Sequence, residues 1–413
     1  MLDKLIIILY NNFYYNGKMV YWHKIYTEKE RGSEMCNANT VRNDYPCMKK
    51  LGFGLMRLPK DETTGNIDIE LSKKMVDKYL EAGFTYFDTA FVYASGESEK
   101  AVRPLLSDRY ERSKYVLATK LALWLVNKPE DMEEQFRVQL ERTGAGYFDF
   151  YLLHSMDSAR FEFAEKIGAW DFVKGLKEKG LVKHIGFSFH DKADVLDRAL
   201  TAHPEAEFVQ LQINYRDWED NGIQSRLCYE VARRHGKEVV IMEPVKGGAL
   251  ATLAPEAAEV LKAADPDASV ASWAVRFSAS LEGVFTVLSG MSDMEQLLDN
   301  TGYMKEFAPL SEEELNTVNR VRKILEEIKR VECTACSYCT EGCPAKINIP
   351  KLFSVYNDYL TYGNKKGAAA RYSSIVKESG KASECIGCEQ CSDICPQHLP
   401  VPMLLKSVAE ALE

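Results

Sequence analysis

The chain has 413 residues, 46% of them hydrophobic and 27% charged, which is too long for one average domain and too apolar for a disordered or fibrous protein. Its formal net charge of −9 argues against a basic nucleic-acid surface. The apolar run Leu5–Leu9 is shorter than a signal-peptide core or a membrane span, and no small-residue cleavage site follows it. Eight of the eleven cysteines crowd between Cys333 and Cys395, whereas Cys36, Cys47 and Cys228 are scattered and read as ordinary thiols. A secreted disulfide protein spreads its pairs through the fold, so the reading is a cytoplasmic chain.

In chain order, residues 1–47 read as an N-terminal extension, with Met35 and Met48 each a candidate start. From about Met48 to Pro309, residues 48–310 alternate short apolar runs with amphipathic ones. The runs are Leu51–Leu55, Phe84–Phe87, Tyr115–Ala118, Phe148–Leu153, His184–Phe187, Phe208–Ile213, Val239–Met242 and Val284–Leu288. Between the first two, Leu71, Met75, Tyr79 and Leu80 keep helical spacing and Gly83 supplies a left-handed stop. Eight such βα units predict an α/β fold, a closed (β/α)8 barrel. An open doubly wound sheet is the alternative, but Gly52-Phe53-Gly54 lies inside a strand without the rest of a G-x-G-x-x-G turn. Ser311 with Glu314 forms a capping box, and Leu315, Val318, Val321, Leu325 and Ile328 continue at helical spacing. Residues 311–330 are therefore expected to form a linker helix, and 331–413 a small, mainly helical ferredoxin-like domain.

In that tail Cys333, Cys336, Cys339 and Cys343-Pro344 repeat as Cys385, Cys388, Cys391 and Cys395-Pro396. Both read C-x2-C-x2-C-x3-C-P, the spacing that holds [4Fe–4S] clusters, with the fourth cysteine serving the other cluster. The first cluster is thus assigned Cys333, Cys336, Cys339 and Cys395, and the second Cys385, Cys388, Cys391 and Cys343. Structural zinc is the alternative, though zinc sites pair two C-x2-C units and leave a third cysteine unused.

At the barrel's predicted strand ends stand Asp88, Lys120 and His154, with Tyr93 in the loop after Asp88. Hydride reduction of a carbonyl needs a proton donor for the developing charge on oxygen. Tyr93 can supply the proton, Lys120 can lower the phenol's pKa, Asp88 can hold the lysine, and His154 can bind the carbonyl oxygen. A rim salt bridge and a core histidine are the plain alternatives.

Leu51-Gly52-Phe53-Gly54-Leu55-Met56-Arg57-Leu58-Pro59, Asp88-Thr89-Ala90 with Tyr93, Ala118-Thr119-Lys120 and Phe150-Tyr151-Leu152-Leu153-His154 resemble the aldo-keto reductase family. With the tail, the chain is similar to its bacterial branch carrying a C-terminal double-cluster ferredoxin-type domain. The resemblance implies Tyr93 as general acid, Lys120 as its modulator, Asp88 as the lysine's partner and His154 as the substrate-orienting group. It also implies NADPH or NADH across the mouth. Ser188 and Gln210 match the family's carboxamide contacts. Phe189 stands where the family has asparagine, with His190 placed to compensate, and Met242 stands where an aromatic ring would stack. Gly290, Met291, Ser292, Gln296 and Asn300 fall on the adenine end, with Gly290 and Gln296 in place of the basic residues that grip the 2′-phosphate. At most a weak NADPH preference is expected, well under a hundredfold in kcat/KM. Trp124 and Trp218 are candidate pocket walls, and the loops Ser155–Trp170 and Lys246–Ser269 are the expected specificity elements.

The function expected is NAD(P)H-dependent reduction of an aldehyde or ketone. One alternative has the tail feeding electrons to the barrel site, with a flavin left open for which no motif is present. Another is a redox-sensing module. The expected partners are a small carbonyl compound and an electron-transfer protein, with no nucleic acid or membrane.

Overall fold

A computed structural model describes residues 11–15, 18–22, 41–328, 330–362 and 364–413. Of the expected N-terminal extension, residues 1–10, 16–17 and 23–40 lie outside the described residues. Asn11–Tyr15 and Lys18–Trp22 pair as an antiparallel hairpin.

Eight parallel strands close into a barrel: β1 Leu51–Gly54, β2 Tyr86–Asp88, β3 Val116–Leu121, β4 Phe148–Met156, β5 Val182–Phe189, β6 Phe208–Gln212, β7 Glu238–Met242 and β8 Val284–Ser289. Each strand pairs with its sequence neighbours, and β8 closes on β1. Both faces are covered, so the strands are buried almost throughout and mostly apolar rather than alternating. Tyr86, Phe150, Phe208, Val240 and Phe285 fill the interior, and a larger apolar layer lies between strands and helices. The helix Ile69–Glu81 shows how the segments are punctuated. Asp68 caps it by accepting from the Leu71 amide at 2.9 Å, Met75 and Tyr79 are buried, and Gly83 follows at φ +84°.

The barrel floor is closed by residues just before β1. Arg42 donates to the carbonyls of Met48, Val284 and Phe285, and the Tyr45 hydroxyl donates to Asp149 at 3.0 Å. Residues 41–47, expected as part of the extension, are thus bonded into the strands they underlie.

The helix Glu312–Glu327 has the capping box formed by Ser311 and Glu314. Its Val318, Val321 and Leu325 pack with Leu250, Leu253, Ala257 and Leu261 on the barrel's flank. Beyond it the tail has a core of its own, built from Ile347, Ile349, Leu352 and Phe353 with Tyr372 and the face Val401, Leu405, Val408 and Leu412 of the last helix. Among the described residues no helix is long and apolar enough to cross a membrane.

Candidate active site

The three strand-borne groups meet Tyr93 at the C-terminal mouth. Asp88 ends β2, Lys120 lies near the end of β3, and all four side chains are buried. His154 lies within β4 rather than at its end. There the β4–β5 register slips: Leu153 faces Phe187 and Met156 faces Phe189, so His154 and Ser155 together oppose Ser188. Ser155 adopts φ +59°, and its amide donates to Ser188 Oγ at 2.7 Å. A bulge of this kind re-aims a side chain, and His154 lines the mouth cavity. Tyr93 opens a tight turn in which Ala94 and Ser95 are left-handed, at φ +49° and +55°.

Lys120 Nζ lies 2.6 Å from Asp88 Oδ1 and 2.8 Å from the Thr89 carbonyl oxygen, and its charge sits 4.7 Å from the centroid of the Tyr93 ring. The hydrogen bonds of the ammonium thus go to Asp88 and Thr89, and it meets the phenol as a charge near its ring. Burial pushes the Asp88 carboxyl up and the Lys120 ammonium down, and each charge is held by the other. Burial also pushes Tyr93 well above the ordinary phenol range, reinforced by Tyr338, Asp88, Glu243 and Cys336. This runs against the lowering expected from Lys120, because desolvation outweighs a charge placed against the ring. Burial and the Lys120 charge push His154 well down, so the imidazole is neutral. Its ring stands edge-on to Tyr93, with centroids 5.8 Å apart, and Trp124 lies against its other side at 5.0 Å. Trp218 packs instead on Tyr229 and Phe277.

Asp88, Tyr93 and His154 line one cavity of about 350 Å³. Of the cofactor residues expected from sequence, Ser188, His190, Gln210, Met242, Gly290, Ser292, Gln296 and Asn300 line it too. Met291 does not; it is buried in the layer behind the strands. Gln210 Oε1 is buried without a partner, and Gln210 Nε2 reaches Met242 Sδ at 3.5 Å. That unpaired acceptor suits an amide N–H such as a carboxamide supplies. Asn300 is already committed to Ser289 Oγ and to the Tyr303 hydroxyl.

Several lining groups come from places the sequence did not flag. Arg57 lies over Gly290 and is the lining residue that carries a cation, and the half-buried Glu243 lies on the same cavity wall. From the tail come Thr334, Cys336, Tyr338, Pro396 and Gln397. The tail is bonded onto the mouth. Arg57 donates to the Thr334 carbonyl at 2.7 Å, Gln397 and Gln212 exchange two hydrogen bonds at 2.8 and 2.9 Å, and Glu332 pairs with Arg216 and Lys246. Cys336 and Pro396 belong to the cysteine motifs themselves, and for Thr334, Tyr338 and Gln397 nearness to those motifs was the only local signal.

The eight cysteines divide between two separate, mostly apolar cavities. Cys333, Cys336, Cys339 and Cys395 line one; Cys343, Cys385, Cys388 and Cys391 line the other. Burial, and after it the nearness of Glu243, Cys395 and Cys333, push the Cys336 thiol up to about 12. Among the described residues no three His, Cys, Asp or Glu side chains converge on one metal ion. Quartets of soft donors around an apolar void, too spread for a single zinc, fit an iron–sulfur cubane.

Residues 50–323 match the model of the aldo/keto reductase family, and residues 332–399 match the 4Fe-4S dicluster domain. A probable aldo-keto reductase 1 of Glycine max is 31% identical over 183 residues, 41% of this chain and 49% of that protein. L-galactose dehydrogenase of Arabidopsis thaliana is 24% identical over 303 residues, 68% of this chain and 92% of that protein. The chain spans about half the length of several of the curated relatives it matches. Among solved structures, an aldo-keto reductase from Klebsiella pneumoniae in complex with NADPH shares the fold at TM-score 0.55 and 20% identity, over 67% of this chain and 91% of that one. The chain belongs to the aldo/keto reductase family, and behind its barrel it carries a 4Fe-4S dicluster domain.

Proposed function

We propose that the barrel reduces the carbonyl group of a small aldehyde or ketone, with a reduced nicotinamide as hydride donor. The observation that carries this reading is Tyr93 and His154 facing one cavity, with the Lys120 ammonium 4.7 Å from the Tyr93 ring centroid and paired to Asp88 at 2.6 Å. When bound, the nicotinamide supplies hydride to the carbonyl carbon. His154, neutral, orients the carbonyl oxygen. Tyr93 gives that oxygen its proton: the phenol O–H breaks, the alcohol O–H forms, and the negative charge passes to the phenol. An alkoxide is more basic than a phenolate, so a phenol raised by burial still donates to it. Lys120 then stabilises the phenolate through the ring, and Asp88 keeps the lysine charged. Gln210 and Ser188 would hold the carboxamide, and Arg57 is the cation on the stretch of wall shared with Gly290.

The two cysteine quartets would hold the clusters of the dicluster domain, which supply single electrons when bound, and an electron-transfer protein is the partner this implies. A second reading, in which the tail delivers the electrons for barrel chemistry, is favoured by one observation. Thr334, Cys336, Tyr338, Pro396 and Gln397 line both the barrel cavity and the first cysteine cavity. Anaerobic turnover with nicotinamide deuterated at C4 separates the two. Transfer of the deuterium to the alcohol carbon is expected for hydride delivery; product without it would overturn that reading in favour of the second.

A further inference from the structure

Tyr338 belongs to the tail, in the turn between Cys336 and Cys339, yet its phenol reaches the reacting groups of the barrel. Its hydroxyl lies 3.4 Å from His154 Nε2, and the two rings stand edge-on with centroids 6.4 Å apart. Tyr93, whose ring stands edge-on to the same imidazole at 5.8 Å, lines the cavity with it. The other imidazole nitrogen, Nδ1, is buried without a partner. Among the described residues the side-chain hydrogen-bond contact of the His154 ring is thus with Tyr338, which lines the same cavity as Tyr93 and His154.

This placement is built into the backbone. Ala335 and Ser337 on either side of Cys336 take left-handed conformations, φ +53° and +69°, which turn the chain sharply enough to aim Tyr338 inward. The Thr334 carbonyl is held by Arg57 at 2.7 Å and pressed against the barrel loop at Gly247. Gly247 has φ +63°, and a Cβ there would stand 2.2 Å from the Thr334 oxygen, so only glycine allows the approach. Two hydrogen bonds between Gln397 and Gln212 hold the other cysteine loop to the mouth.

We propose that Tyr338 is a catalytic residue of the barrel site, a third hydrogen-bond donor to the substrate oxygen beside Tyr93 and His154, brought in by the tail. The inference rests on the carbonyl-reductase reading and deepens it. A separation of 3.4 Å is too long for a strong O–H···N bond, so this hydroxyl is free to turn to an oxygen entering between the phenols and the imidazole. No bond is made or broken at Tyr338. It keeps its proton and donates a hydrogen bond as charge grows on the oxygen, while Tyr93 transfers the proton. The site is then composite, and the barrel without its tail lacks one of its donors.

The test is Tyr338→Phe in the full chain, prepared anaerobically beside the parent. With iron content and nicotinamide binding unchanged, kcat for an aromatic aldehyde is expected to fall about 100-fold to 1000-fold, the range for losing one oxyanion donor, with KM far less affected. Benzoate, whose carboxylate imitates the charged oxygen, is expected to bind at least about tenfold more weakly by nicotinamide fluorescence, on the loss of a hydrogen bond to a charged group. A kcat at or above that of the parent would overturn the proposal and make Tyr338 packing or an occupant of the oxygen's place. Loss of iron in the variant would also overturn it, by assigning the phenol to the cysteine cradle. If the parent reduces no aldehyde, the functional reading fails while benzoate still decides Tyr338: unchanged affinity refutes the donor and weakened affinity supports it.

Discussion

Lys120 has its ammonium committed to Asp88 and the Thr89 carbonyl, 4.7 Å from the Tyr93 ring centroid, and the pair with Asp88 is fully buried. Removing one partner of such a pair strands the other charge, at a cost of about 3–5 kcal/mol. Lys120→Met is therefore expected to lower thermal stability strongly. The double variant Asp88→Asn, Lys120→Met should regain most of that stability and none of the turnover. A double variant as unstable as the single one in a thermal melt would contradict the pairing. His190 gives a second residue-level expectation. Burial holds its imidazole down at about 3, against an ordinary 6.5, so as pH falls below about 6.5 the unfolded chain takes up a proton that the folded chain refuses. His190 therefore contributes to a loss of stability between about pH 6.5 and 3, and the depressed His154 acts in the same direction. His190→Gln should shrink the fall in Tm between pH 7 and 5; an unchanged fall would rule the residue out.

At the scale of elements, the barrel was legible because its strands are buried on both faces and appear as mostly apolar runs, such as Phe148–Leu153, broken only by Asp149, and Phe208–Ile213, broken only by Gln210 and Gln212. The strand ends Asp88 and Lys120 were readable for the same reason. The bulge at His154–Ser155 was not, because a two-against-one register depends on the partner strand and leaves no local period. The cysteine loops divide as the spacing suggested, the last cysteine of each run lining the cavity of the other. Cys395→Ser and Cys343→Ser are accordingly expected each to lose about half of the roughly eight irons that two cubanes hold. The spectrum of the retained cluster should differ between the two variants. Identical residual spectra would contradict the crossed assignment.

For the whole molecule, the sequence presented a barrel and a tail, and the structure joins them at the mouth. Tyr338, Gln397 and Thr334 enter the barrel cavity, and Arg57 meets the tail across it. None of this follows from periodicity or motif spacing, because docking between two separately cored units depends on side chains whose neighbours are far away in sequence, 185 residues for Gln212 and Gln397 and 277 for Arg57 and Thr334. The account still turns on one proton donor. The measurement that tests it most directly is steady-state aldehyde reduction by the anaerobically prepared full chain and its Tyr93→Phe variant, with nicotinamide binding followed by fluorescence. Turnover is predicted to fall by at least about a hundredfold, the contribution of a positioned general acid, while nicotinamide affinity stays within a few-fold of the parent. A variant that reduces the aldehyde at the parent's rate would contradict the account.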